Sequence, residues 1–138
     1  VRCGRCGVEH EWVASPSDLL FGEATCLPCR RQVVREGFER GLAEYYTVRL
    51  VVGFHPGVVL PASVRTPAWE AGQEDMHLDY GLDMAVPIDD LEADTLGVSA
   101  TLSFDRSPFM TIVPWEAVVA MGAGERRPPE RPRLGLVP

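Results

Sequence analysis

Hydrophobic and polar positions alternate most regularly from Val98 to Phe104. Val98, Ala100, Leu102 and Phe104 fall on one side of an extended chain, with Ser99, Thr101 and Ser103 on the other. The pattern predicts a strand with one apolar face. Asp105-Arg106-Ser107-Pro108 predicts the turn that ends it, and Phe109 to Val113 the strand that returns. Pro114, lacking a backbone donor, marks a strand end or an edge. Ala117 to Met121 is a third short apolar run.

Upstream, Thr47–Val52 (TVRLVV), Val58–Leu60 and Met76–Tyr80 (MHLDY) read as further strands. Gly53 to Gly57 predicts a turn or bulge between the first two. Thr66 to Glu74 is poor in strand formers and reads as a loop. Residues 81–96 are acidic and rich in turn formers, with Ile88 and Leu91 available to pin them to a core. Five or six short strands with little helix between them predict a mainly β fold, a small closed or nearly closed barrel over residues 46–122.

The period changes before Thr47. Val34, Phe38, Leu42 and Tyr45 recur at helical spacing, and Arg and Glu residues fill the remaining surface. A helix is therefore expected to start near Pro28. Gly37 and Gly41 lie inside it, each costing about 1 kcal/mol relative to Ala. Their spacing suits close approach of another element. Docking onto the barrel and a helix–helix contact in a homodimer both satisfy it, and the sequence leaves both open.

All four cysteines precede this helix, as Cys3-Gly-Arg-Cys6 and Cys26-Leu-Pro-Cys29. The spacing C-x2-C-x19-C-x2-C is that of a zinc ribbon, in which two thiolates from each knuckle complete a closed tetrahedral site. Cys3, Cys6, Cys26 and Cys29 are the expected ligands of a structural zinc ion in residues 1–45. Two disulfides or two redox pairs are the competing readings. They fit less well, because the rest of the chain has no cysteine and no βαβ setting. His10 is a spare donor beside a complete ligand set. Trp12 and Phe21 suit the small core of such a module.

Charge narrows the partners. The chain has no Lys, and its 13 basic residues, all Arg, face 20 acids. Glu70 to Asp94 contains nine acids and no Arg. Such a body disfavours nonspecific binding to a phosphate backbone. Arg2, Arg5, Arg30, Arg31 and Arg35 around the knuckles keep one alternative in play, a zinc-ribbon module that binds nucleic acid or the transcription machinery. No apolar run approaches the length needed to cross a bilayer, and a cytoplasmic setting without membrane contact is expected. No nucleophile turn or phosphate-binding glycine loop appears, and a closed zinc site has no open coordination position, so no enzymatic activity is expected. His55 and His77 read as surface histidines.

Over residues 46–121 the body resembles the SspB family, specificity-enhancing adaptors of the ClpXP protease. The likeness lies in the order and spacing of TVRLVV, His55-Pro56-Gly57-Val58-Val59-Leu60-Pro61, Met76–Tyr80, Val98–Phe104 and Val113–Met121. It implies a compact Sm-like β fold that grips degradation tags, notably ssrA-like tags, in extended form. By position, it assigns the groove to Val58, Val59, Leu78, Asp79, Tyr80, Ala100, Leu102 and Phe104. Asp105 and Arg106 stand where the family carries paired glycines, and residues 81–90 run about two longer, so the preferred tag is expected to differ. The added ribbon leaves dimerisation through the following helix open.

The tail extends the resemblance. Residues 123–138 form a Pro- and Arg-rich stretch expected to be a disordered tether, ending in Leu134-Gly135-Leu136-Val137-Pro138. Arg133, Leu134, Leu136 and Val137 resemble the segment with which the family docks on the ClpX unfoldase. Tag capture plus a tethered dock would raise the substrate's local concentration at the unfoldase.

Overall fold

The computed structural model describes residues 5–7, 26–82 and 88–128. Cys3, His10, Trp12 and Phe21, and the expected docking residues Arg133, Leu134, Leu136 and Val137, lie outside them. Among the described residues, helix α1 spans Leu27–Glu44. Extended backbone at Cys26 precedes it, Pro28 occupies the first turn, and Tyr45 returns to extended backbone at its end. The expected stripe is the buried face, with Val34, Phe38 and Leu42 in the core and Tyr45 half-buried at the cap.

Two three-stranded antiparallel sheets make up the body. In the first, β1 (Val48–Val52) lies between β2 (Met76–Tyr80) and β6 (Val118–Ala123). Val48 faces Tyr80 on one side and Ala123 on the other. The second has the order β3 (Glu92–Ala93), β4 (Gly97–Phe104), β5 (Ser107–Pro114). A 3-10 turn, Trp115–Ala117, carries the chain from β5 into β6. Among the described residues no helix is long and apolar enough to cross a membrane.

The alternation read from the sequence sets the burial. Val48, Leu50 and Val52 point inward from β1, and Val98, Ala100 and Leu102 from β4, with Phe104 packed at the core's margin. Phe38 ties helix to sheets: its ring meets Tyr80 edge-on at 5.2 Å and Trp115 at 5.7 Å. The glycines of α1 face the first sheet. A Cβ at Gly41 would lie 2.7 Å from Val48 Cγ2, and one at Gly37 3.1 Å from Met121 Cε. Docking onto the body therefore uses the close approach that the glycines permit.

Several elements differ from the sequence reading. The loop expected over Thr66–Glu74 contains a one-turn helix, α2 (Pro67–Glu70). Thr66 Oγ1 caps it by accepting from the Trp69 amide at 3.1 Å, and Pro67 pre-sets its first φ. Trp69 is fully buried and its indole donates to the Val52 carbonyl at 3.0 Å. The acidic segment supplies β3, and Asp90 takes an edge donor of β4, accepting from both the amide and the hydroxyl of Thr101. Val58–Leu60 shrinks to one bridge, Val59 to Ile112. The hairpin turn is only Asp105-Arg106, both at positive φ (49° and 68°), while Ser107 and Pro108 already belong to β5.

The first residues of the stretch expected to be a tether are bonded to the body. β6 continues through Ala123, and the Gly124 amide bonds to Thr47. Glu125 accepts from the Tyr46 amide, and the Arg127 amide donates to Glu44 at the end of α1. Arg127 Nε donates to the Tyr45 carbonyl at 3.0 Å, and its guanidinium lies over the Tyr46 ring. These bonds satisfy carbonyls that a helix end leaves without intrahelical partners.

Candidate functional site

The outer face of β4 and β5 is unlike the inner one in composition but not uniformly polar. β4 presents Ser99, Thr101 and Ser103, whereas β5 presents Met110 and Ile112, both exposed. Thr111, between them, is buried and its hydroxyl donates to the Ala100 carbonyl at 2.7 Å. A groove of about 430 Å3 lies over this face, lined by Ser99, Met110 and Ile112, with Leu96, Pro114, Asp94 and Glu116 at one end. That is enough for one or two side chains, at the small end of ligand sites.

The backbone of β5 offers an edge beside the groove. Ile112 exchanges both of its backbone bonds with Val59, at 2.9 and 3.2 Å, so its N–H and C=O point away from β4. Antiparallel ladders alternate, so those of Met110 point the same way. No backbone partner covers Met110 among the described residues. Pro108, the next outward-facing residue, contributes only a carbonyl.

The expected peptide-contact residues divide. Val58, Leu78, Tyr80, Ala100 and Leu102 are core side chains, at most 8% exposed. As packed they do not reach the groove surface. Burial pushes the Tyr80 hydroxyl pKa up, with Thr111 acting in the opposite sense. Phe104 is half-buried against the core. Asp79 is exposed but lies on the other sheet, where Arg49 grips it through two bonds at 2.8 and 3.1 Å and holds its carboxyl below the usual range. Val59 is the one exposed apolar side chain of the expected set, 40% exposed beside Ile112. The sequence reading missed Leu96, Met110, Ile112 and Pro114. The available signal was β5 itself, which carries apolar residues on its outward face where β4 carries Ser and Thr.

Glu116 anchors one end of the groove. Arg31 of α1 donates to both its oxygens at 3.1 Å, and His55 Nε2 lies 3.6 Å away. His55 Nδ1 accepts from the Gly57 amide at 2.9 Å, in the turn leading to Val59. Burial pushes the Glu116 pKa up, but the Arg31 hydrogen bonds and charge outweigh it and the net direction is down. The reciprocal bond raises that of Arg31. Asp94 accepts from the amides of Leu96 and Gly97, which lower its pKa and shape the turn that presents Leu96.

At the start of α1, the sulfurs of Cys6, Cys26 and Cys29 lie within 4.8 Å of one another, and Cys6 and Cys26 are 3.8 Å apart. That separation is far from a disulfide bond length. It matches the roughly 3.8 Å edge of a tetrahedron built from 2.3 Å metal–sulfur bonds. Three of the four expected ligands are thus together, and such a set could hold a metal ion. Arg5 beside Cys6 pairs with Glu36 at 3.3 Å, which ties the knuckle to α1. Arg31 and Arg35 are likewise engaged by Glu116 and Glu39, so the knuckle does not present them as bare phosphate ligands.

No protein-family model matches the chain, and no curated protein matches it.

Proposed function

We propose that the β5 edge and its groove hold an extended peptide, and that the protein is a non-enzymatic adaptor. It would bind ssrA-like tags and carry tagged substrates to a ClpX-type unfoldase through its C-terminal segment. The observation that carries the peptide reading is the backbone edge at Met110, unpaired among the described residues, next to the exposed side chains of Val59, Met110 and Ile112. An added strand would gain backbone bonds there and bury alternate side chains in the groove. The adaptor role and the unfoldase rest on the SspB resemblance, as do the Sm-like barrel and the homodimer. In the same reading, zinc occupies the cysteine cluster as a structural ion, with Cys3 as fourth ligand, and the setting is the cytoplasm.

The test is a fluorescence-anisotropy titration of a labelled ssrA-like peptide against the full chain and Met110→Pro. The proline removes the outward N–H without breaking a ladder bond to β4. Saturable binding to the full chain, lost in Met110→Pro with unfolding unchanged, supports the groove. No binding by the folded full chain, or equal binding by both, overturns it. A chain ending at Pro128 keeps the Arg127 contacts and separates tail from body. It should bind peptide normally and fail to deliver it. Metal analysis of the purified protein should give one zinc per chain.

A further inference from the structure

We infer that the cysteine centre regulates the groove: an ion held by Cys6, Cys26 and Cys29 and a peptide at the β5 edge bind cooperatively, coupled through Arg31 and Glu116. This rests on the peptide reading above. Cys26 occupies the N-cap of α1 and Cys29 its first turn; the Cys26 side chain makes no capping hydrogen bond to the helix, and no acidic residue stands in that turn. A first turn is the part of a helix most prone to fray, because its amides lack intrahelical partners. Fixing two of its residues to a common ion removes that freedom.

Arg31 follows directly. Its fork closes on both Glu116 oxygens, with the side chains only 27% and 20% exposed, a more restrained geometry than a loose surface pair. Glu116 then serves both rims of the groove. On one, Trp115 beside it holds the Leu96 turn, its amide donating to the Leu96 carbonyl and its indole to Asp94. On the other, His55 Nε2 stands 3.6 Å from Glu116, and its Nδ1 accepts from the Gly57 amide in the turn before Val59, the residue that pairs with Ile112. A second tie runs from Arg35 Nη2 to the Ala93 carbonyl at 3.2 Å. A recess lined by Pro28, Arg31, Gln32 and Arg35 meets the groove at Leu96, so the first two turns of α1 adjoin the peptide site. A first turn that wanders moves Arg31, and with it the carboxylate that stands beside both rims.

Thermodynamic coupling is reciprocal, and that makes the inference testable from either side. Peptide affinity is measured by anisotropy with the full chain zinc-loaded and after chelation. Zinc affinity is measured against a chromophoric chelator with and without saturating ssrA-like peptide. Zinc should tighten peptide binding by about fivefold or more, and peptide should tighten zinc binding by the same factor. Because chelation can unsettle the fold as a whole, the deciding variant is Arg31→Gln. It should stay folded and bind zinc as the parent does without peptide, while the effect of peptide on zinc affinity falls to within twofold. Peptide binding indifferent to zinc, or full coupling retained in Arg31→Gln, overturns the inference and leaves the peptide site standing. Failure of the folded, zinc-loaded chain to bind peptide at all removes the site and the coupling together.

Discussion

Replacing Gly41 with Ala sets helix propensity against packing. Ala is favoured over Gly in a helix interior by about 1 kcal/mol, and Gly37 and Gly41 both lie inside α1. On propensity alone, either substitution stabilises equally. The structure separates them. At Gly37 the new methyl meets Met121 Cε at 3.1 Å, the tip of a flexible, 37% exposed side chain that can swing aside. At Gly41 it meets Val48 Cγ2 at 2.7 Å, a β-branched side chain buried in β1 with one preferred rotamer. Relief there requires α1 to move off the sheet, and such overpacking costs typically 1–3 kcal/mol. Gly37→Ala should therefore be neutral to about 1 kcal/mol more stable than the parent. Gly41→Ala should fall below Gly37→Ala by roughly 1–3 kcal/mol. Urea unfolding followed by circular dichroism measures both, with midpoints compared at unchanged slope. A Gly41→Ala protein as stable as Gly37→Ala would refute the helix–sheet contact and return the glycines to some other interface.

Three further outcomes follow from local geometry. Arg106 sits at φ 68° beside Asp105 at 49°, a turn that favours Asp-Gly, so Arg106→Gly should raise stability by about 1 kcal/mol in thermal unfolding, and a loss would refute the turn geometry. The side-chain and backbone bonds from Thr101 hold the Asp90 carboxyl below its usual range. The unfolded state therefore takes up the proton first, so this contribution is complete above the ordinary Asp pKa near 4 and is lost as pH falls through the lower folded value. Asp90→Asn should flatten the decline of melting temperature between about pH 5 and pH 3, and parallel profiles would contradict the assignment. Phe38→Ala removes a fully buried ring between Tyr80 and Trp115 and should cost about 3–5 kcal/mol by chemical unfolding, with a cost under 1 kcal/mol excluding its central place.

The elements legible in the sequence are those with a strong period or a hard stop. The stripe at Val34, Phe38 and Leu42 needs only helical spacing, and MHLDY forms β2 within the bounds read from it. What was not legible depends on partners distant in sequence. Trp69 makes a one-turn helix worthwhile because its indole finds the Val52 carbonyl, although Thr66-Pro67 was a local cap signal in plain view. β3 is two residues long and exists because β4 offers Ser99 and Val98 as partners. At the groove, strand alternation identified inward faces correctly, but the family-based positions fell mostly on those inward faces. The outward face is the one open to a ligand, and on it the exposed apolar residues are those of β5. The cysteine spacing was legible because knuckle geometry is local, and Cys6, Cys26 and Cys29 do converge.

The way the β5 edge is guarded limits how a peptide could be held there. Exposed edges invite pairing with other chains, and prolines and covering segments suppress it. Here Val59 covers Ile112, and Pro108 and Pro114 remove donors on either side, which among the described residues leaves the outward N–H of Met110 and the carbonyls of Met110 and Pro108. Three such bonds contribute about 1 kcal/mol each. Association costs on the order of 4–15 kcal/mol in lost freedom, so backbone pairing alone cannot hold a peptide. The remainder must come from side chains buried against Val59, Leu96, Met110 and Ile112, at roughly 1.5–3 kcal/mol each. Micromolar affinity, about 8 kcal/mol net, then needs several apolar peptide residues seated together. In the proposed peptide site, selectivity would accordingly lie in the peptide's side chains, and an alanine scan of a bound peptide should show two or three positions carrying most of the affinity. A scan with the loss spread evenly along the peptide would contradict a short edge beside a compact groove.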